Sequence, residues 1–239
     1  MKIALCLSGQ ARSFEQGYEY YKKNLLDHYD VDVFIHTWTF NEFTEYRKLY
    51  GDVVKNFRMD APYSTEFGKK IDDHYTRTPN REKFPPRFTH AMLESMNLCS
   101  ELLAKHVFTT HEKYDWVIRS RSDYALNVKI PFAELDNSKL YIPNCRMVPE
   151  RDFGNDQFAF SSFENMLKYM STFMKMNHYY EDLGAVYIGE NLMQANLREN
   201  NLVGENLVYV NMNNPFPPGI HNGTWHSLIR DDYERWTST

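Results

Sequence analysis

The segment from Met1 to Trp38 changes hydrophobic period twice, and this restricts the fold more than any other feature of the chain. Ile3 to Leu7 is an unbroken apolar run closed by the polar turn SGQAR, the pattern of a strand covered on both faces. Phe14, Tyr18, Tyr21 and Leu25 then recur at helical spacing and predict a helix from about Phe14 to His28, with Ser13 and Gln16 as a capping box. A second apolar run, DVFIHTW, closes the unit. Strand, turn, helix and strand in that order open a parallel sheet. The expectation is an α/β domain with a Rossmann-like, mostly parallel central sheet flanked by helices.

The remaining elements extend this pattern. VVKNFRM is a candidate third strand, and Met92, Met96, Cys99, Leu103 and Val107 form one stripe of a helix from Thr89 to roughly Thr110. Strands are expected at the start of YDWVIRSRSDY and in KLYIPN, DQFAFSS and NLVYVNM, with helices near Phe163–Met174 and Glu190–Glu199. TRTPNREKFPPR, with three prolines and Arg77, Arg81, Lys83 and Arg87, reads either as a loop able to close over a site or as a solvated connector. No repeat or low-complexity linker divides the chain, so residues 1–239 are read as one domain.

Bulk properties exclude several classes. A net charge of −5 argues against a general nucleic-acid binder, though a few arginines in a cleft suffice for a small anion. Cys6, Cys99 and Cys145 lie far apart without a CxxC pair, so neither a zinc site nor a disulfide framework is expected, and a reducing, cytoplasmic setting is the simplest. MKIALCLSG reads as a strand rather than a signal peptide, no segment has transmembrane length, and the sequon at Asn222 is discounted accordingly. An aromatic content of 15% supports a tightly packed core and an aromatic-lined cleft. Neither a P-loop nor GxGxxG occurs, which removes P-loop NTPases and ordinary dinucleotide dehydrogenases; the absence of GxSxG argues against an α/β-hydrolase.

Ligands of open α/β sheets bind outside the carboxyl ends of the parallel strands. Three such ends are polar here: Ser8, Gly9, Gln10 and Arg12 after the first strand, His36 and Thr37 at the second, and Arg119, Arg121 and Asp123 at the fourth. If the chain stays extended through RSRSD, the three charges share one face. Two guanidinium forks suit a diphosphate, and the carboxylate suits Mg²⁺ or Mn²⁺. An internal Arg–Asp ion pair at the sheet rim explains the same residues equally well.

LCLSGQARSF, DVFIHTW, YDWVIRSRSDY and GNDQFAFSS, in this order, resemble small GT-A-type glycosyltransferase-like proteins of large DNA viruses, phages and bacterial surface-polysaccharide gene clusters, over about residues 1 to 210. The resemblance implies a single GT-A domain that moves sugar from a nucleotide-diphosphate-sugar donor to a glycan or other hydroxyl acceptor. It places Ser8, Gly9, Gln10, Arg12, His36, Thr37, Arg119, Arg121 and Asp123 around the donor. Asp123 matches the last carboxylate of the metal-binding DxD motif, whose first Asp is missing, with His221 as a candidate later ligand of Mn²⁺ or Mg²⁺. Asp156 falls where inverting members carry the general base, although Asp is also common in turns for local reasons. The alternatives are a non-catalytic nucleotide- or sugar-binding module with a decayed metal motif, and a nucleotidyltransferase. Oligomeric state is not legible.

Overall fold

The structure, a computed structural model, describes residues 1–38, 43–143, 155–210 and 226–228. β1 (Lys2–Gly9) and β2 (Asp30–Thr37) pair in parallel, with Ser8 level with His36. Between them α1 (Phe14–Tyr21) runs into a π-helical turn, Lys22–Leu26. Ser13 adopts φ 43° and its side chain makes no cap bond, so the expected capping box does not form. α2 (Phe43–Tyr50), β3 (Val54–Met59), α3 (Thr65–His74) and α4 (Pro86–Thr110) follow. α4 starts on proline, whose missing N–H costs nothing in a first turn, and ends at His111 in the left-handed region, φ 59°.

β4 (Trp116–Ser120), β5 (Tyr124–Leu126), β6 (Leu140–Pro143) and β7 (Phe158–Ser161) come next. The helical stretch after β7 divides at Ser171 into α5 (Phe163–Met170) and α6 (Thr172–Glu181). α7 (Gly189–Glu199), β8 (Leu207–Val210) and β9 (His226–Leu228) complete the described chain.

The main sheet has the order β3–β2–β1–β4–β7–β6–β8, and β9 forms a separate antiparallel ribbon with β5. β7 alone runs against its neighbours; the other strands of the main sheet point one way. The chain is thus the expected single-layer parallel sheet with one reversed strand. Alternation along β1 divides the core. Ala4 and Cys6 join Phe34, Met96, Cys99 and Val117 beneath α4, whereas Ile3, Leu5 and Leu7 join Tyr21, Ile35 and Ile118 on the opposite face.

Residues 76–87 are tied to the body. Arg77 lies over the Tyr180 ring at 3.9 Å and donates to the Tyr180 carbonyl, Arg81 donates to the Asp72 carbonyl, and Arg87 pairs with the Asp72 carboxylate at 2.9 Å. The connector reading of this segment therefore describes it better than a free basic lid. Among the described residues no helix is long and apolar enough to cross a membrane.

Candidate functional site

Strand order reverses at β1, which has β2 on one side and β4 on the other, so the crevice outside the ends of β1 and β4 is where a ligand is expected. Ser8 lies next to the end of β1 there, and Gly9, its last residue, has φ 119°, a conformation that favours glycine and turns the chain out of the sheet. Gln10 and Arg12 form the exposed turn beyond, with the Arg12 amide donating to the Gln10 carbonyl at 2.9 Å. Gly17 then lets α1 press against the turn after β4. A methyl there would sit 1.9 Å from the Ser122 carbonyl oxygen.

Arg119 is the largest fully buried side chain among the described residues, 1% exposed. Its Nε donates to Ser8 Oγ at 3.2 Å and its Nη1 to the Asp156 carbonyl. Among the described residues no carboxylate forms an ion pair with it. Burial lowers its pKa, and the negative charge of Asp156 opposes that shift. A guanidinium stays protonated under these conditions, so a cation is buried here whose hydrogen bonds go to neutral oxygens, with the Asp156 charge nearby.

Arg121 and Asp123 behave differently. β4 ends at Ser120 and residues 121–123 form a turn closed by the Tyr124 amide and the Arg121 carbonyl, so the extended three-charge face is not made. Arg121 instead grips Asp123 bidentately, with Nε and Nη2 at 2.7 and 2.6 Å from the two carboxylate oxygens. Burial, the largest single influence, pushes the Arg121 pKa down, but the bond to Asp123 together with the charges of Asp123 and Asp156 leaves it raised. Tyr21 and Tyr46 hold the same turn through Ser120 and Ser122, each at 2.6 Å. Here the internal ion pair describes the sequence motif.

His36 and Thr37 are also turned inward. His36 is 1% exposed, with Nδ1 2.7 Å from Ser95 Oγ and Nε2 2.9 Å from Asp60 Oδ2. Burial lowers its pKa and the Asp60 contact partly restores it. Thr37 is buried and its carbonyl accepts from the Asp60 amide at 3.1 Å. Both residues anchor the end of β2 to α4 and β3 and show no open edge to a donor. Ser95, His36 and Asp60 form a chain with the serine on Nδ1 and the carboxylate on Nε2, the reverse of a hydrolytic triad, and Ser95 is fully buried within α4.

Asp156 reaches this edge because β7 is reversed. Residues before an antiparallel strand lie beside the ends of its parallel neighbours, and Ser120 is level with Phe158. Asn155 performs the local turn role: its Oδ1 accepts from the amides of Gln157 and Phe158 at 2.8 and 3.1 Å. The Asp156 carboxylate is thereby left for other use, and it lies against the start of α7. A methyl at Gly189 would come within 3.0 Å of Asp156 Oδ2 and 2.7 Å of Met92 Cε. The next residue, Glu190, has its pKa pushed up to about 7, first by burial and then by the charge of Asp156. This paired carboxylate is a candidate site residue that sequence reading missed. GEN at a helix start looks like an ordinary acidic first turn, and only the tertiary fold brings it to Asp156.

Asp123 does not fit a divalent cation in this arrangement, because both its oxygens are taken by Arg121; His221 lies outside the described residues. Among the described residues a carboxylate–imidazole cluster with ligand atoms within 4.8 Å of one another is Asp32, His106 and Glu112. It lies at the opposite edge of the sheet, and Lys2 Nζ already sits 2.9 Å from Asp32 and 2.7 Å from Glu112. That lysine occupies the place a metal would take.

The solved structures that share the fold include two of LgtC: an active-site mutant, and the galactosyltransferase in complex with donor and acceptor sugar analogs. Each is 12% identical, covers 89% of this chain and 74% of its own, and superposes with a TM-score of 0.52. The chain is therefore of the GT-A glycosyltransferase fold. Curated protein sequences give no match. Residues 1–165, which contain Ser8, Gly17, the Arg121–Asp123 turn, Arg119 and Asp156, match the family described as Domain of unknown function (DUF7796), and the chain belongs to that family.

Proposed function

We propose that the protein is a glycosyltransferase that moves a sugar from a nucleotide-diphosphate-sugar donor to a hydroxyl acceptor. The observation that carries this reading is Arg119: a fully buried guanidinium without a carboxylate partner among the described residues, at the sheet's switch point and one hydrogen bond from the turn that bears Asp156. A buried cation needs an anion, and a diphosphate supplies one. The likeness to LgtC supports the fold on which this chemistry is built. The donor pool of such an enzyme is cytoplasmic.

In this reading Arg119 stabilises the charge that develops on the leaving diphosphate, from a site of low dielectric where one donor counts for more than in water. Asp156 takes the proton of the attacking hydroxyl, and Glu190 beside it, with a pKa of about 7, can hold that proton at neutral pH. One base and one direct displacement give inversion at the anomeric carbon. No step is assigned to a metal, since the Asp123 oxygens are engaged by Arg121.

The test compares wild type with Asp156→Asn in donor hydrolysis, donor affinity and sugar transfer. Transfer is expected to fall by about 10²–10⁴ with donor affinity unchanged. A donor left intact both with hydroxyl acceptors and in water alone would sink the reading, and so would pyrophosphate release from a nucleoside triphosphate, which marks a nucleotidyltransferase. Binding without any turnover would leave a non-catalytic module.

A further inference from the structure

The segment TRTPNREKFPPR takes no part in the site described above, and its end carries exposed aromatic rings. Phe84 and Phe88 are 56% and 52% exposed, on either side of Pro85 and Pro86 at the start of α4. Each ring has a cation close to it: Lys83 Nζ lies 5.4 Å from the Phe84 centroid, and the Arg87 guanidinium 5.6 Å from that of Phe88. A third ring, Phe67 at 47% exposed, borders them on α3. Its neighbour Gly68 packs on the Arg87 stem, where a methyl would come within 3.1 Å of Arg87 Cδ. Single exposed apolar side chains are ordinary, whereas grouped ones mark interaction sites.

The backbone that carries the two rings has no hydrogen-bond donor to spare. The Lys83 and Phe84 amides both donate to the Asn80 carbonyl, at 2.9 and 2.8 Å. The Arg87 amide donates to Asp72 Oδ1 at 2.9 Å and that of Phe88 to the Pro85 carbonyl at 3.0 Å, while Pro85 and Pro86 have no N–H. A peptide that docks by adding a strand finds no donor here. A surface poor in water, by contrast, tolerates backbone whose N–H groups are already paired. Arg77, Arg81 and Arg87 hold the segment to the body, so the rings stand on a fixed turn and little order has to be gained on contact.

Charge selects the kind of surface. Arg77, Arg81, Lys83 and Arg87 against Glu82 alone give residues 77–88 a formal charge of +3 in a chain of −5. Asp72 offsets Arg87, but Arg77 and Arg81 donate to carbonyls, and among the described residues no carboxylate pairs with Lys83. The segment therefore stays positive. Aromatic rings at headgroup depth with basic side chains beside them are how a protein face rests on an anionic bilayer.

We propose that Lys83, Phe84, Arg87 and Phe88 form a docking surface for an anionic lipid bilayer, the two rings entering the interface and the basic residues around them attracted to headgroup charge. The proposal does not depend on the transferase reading.

The experiment is co-sedimentation of the full chain with vesicles of phosphatidylcholine alone or with about a quarter phosphatidylglycerol. Wild type should bind the anionic vesicles at about 0.05 M salt, bind phosphatidylcholine far less, and be released by about 0.5 M salt. Phe84→Ser combined with Phe88→Ser should weaken binding at least about tenfold, with an unchanged melting temperature showing that the fold is kept. Lys83→Glu should weaken it as well and flatten its salt dependence. Absence of wild-type binding to the anionic vesicles overturns the proposal, and so does equal binding to both vesicles. Undiminished binding by the double phenylalanine variant also overturns it, since the contact would then lie elsewhere. A concentration-dependent dimer that the double variant loses, without vesicle binding, would overturn it in favour of a second copy of the chain.

Discussion

Glu190→Gln should make the protein more stable at pH 8 and leave it unchanged near pH 4. The ordinary carboxyl value for this residue is 4.5, and in the folded protein burial and then Asp156 push it to about 7. Between those values the folded state binds a proton that the unfolded chain releases. Stability contributed at this position therefore falls as pH rises through the window and is fully lost above about pH 7. At about 1.4 kcal/mol for each pH unit of the gap, the ionised carboxylate costs the native state about 3 kcal/mol at pH 8. Glutamine keeps the shape and cannot ionise.

The assay is urea unfolding of both proteins from pH 4 to 8.5, followed by tryptophan fluorescence. Other titrating groups are common to the two chains and cancel in the difference. The wild-type minus variant curve should be flat up to about pH 4.5, descend to about pH 7 and then level. Asp156→Asn should shorten the descent without abolishing it, because burial, the larger cause, remains. A difference that stays constant across the whole range would refute the argument, since it would mean that Glu190 titrates alike in both states.

Arg119→Met should abolish donor binding while leaving stability equal or higher, because a buried charge without a carboxylate partner costs free energy; Arg119→Lys should rescue poorly, and both are read by calorimetric donor titration with parallel melts. Arg121→Ala should do the reverse. It strands a buried Asp123 and should destabilise toward the lower end of roughly 3–5 kcal/mol, given the partial exposure of Arg121, with donor affinity near wild type. Gly17→Ala should lower the melting temperature sharply, since its methyl meets the Ser122 carbonyl at 1.9 Å and neither backbone can yield without moving α1 from the turn.

The sheet was legible in the sequence because its strands are buried on both faces and read as continuous apolar runs, as β1 and β2 do. α3 left no such trace: only Gly68 and Ile71 of its ten residues are buried, so no stripe forms, and the serine cap at Ser64 is its main signal. The site was half legible. Arg119 and Ser8 were drawn from strand ends and Asp156 from the family resemblance, and hydrogen bonds bring the three together. Arg121 and Asp123 were drawn from the same alternation, and it fails there because β4 ends at Ser120, three residues before an extended RSRSD would. His36 has the polarity of a ligand-binding group, but its partners Ser95 and Asp60 come from elements whose placement no local pattern gives. Glu190 escaped for the same reason, its pKa being set by burial and by a carboxylate in the turn before β7.

The reversed strand explains why a site exists at this edge at all. A purely parallel sheet delivers only the segments that follow its strands to the carboxyl edge, and segments that precede strands lie at the far end. β7 runs antiparallel between β4 and β6, so its leading turn, residues 155–157, meets the trailing end of β4. Arg119 and the Asp156 carbonyl thus come into hydrogen-bond contact across a sequence separation of 37. The register is tight. A slip of β7 by two residues would keep Phe158 and Phe160 facing the same side but displace Asp156 by about 7 Å, at about 3.4 Å per residue. The hydrophobic pattern alone would tolerate that slip. What resists it are the polar contacts at the turn itself: Asn155 closing the amides of Gln157 and Phe158, the Tyr169 hydroxyl on the Asn155 carbonyl, and Arg119 on Asp156. The buried arginine therefore fixes the register that positions the carboxylate, and the same contact places its charge where a diphosphate would leave.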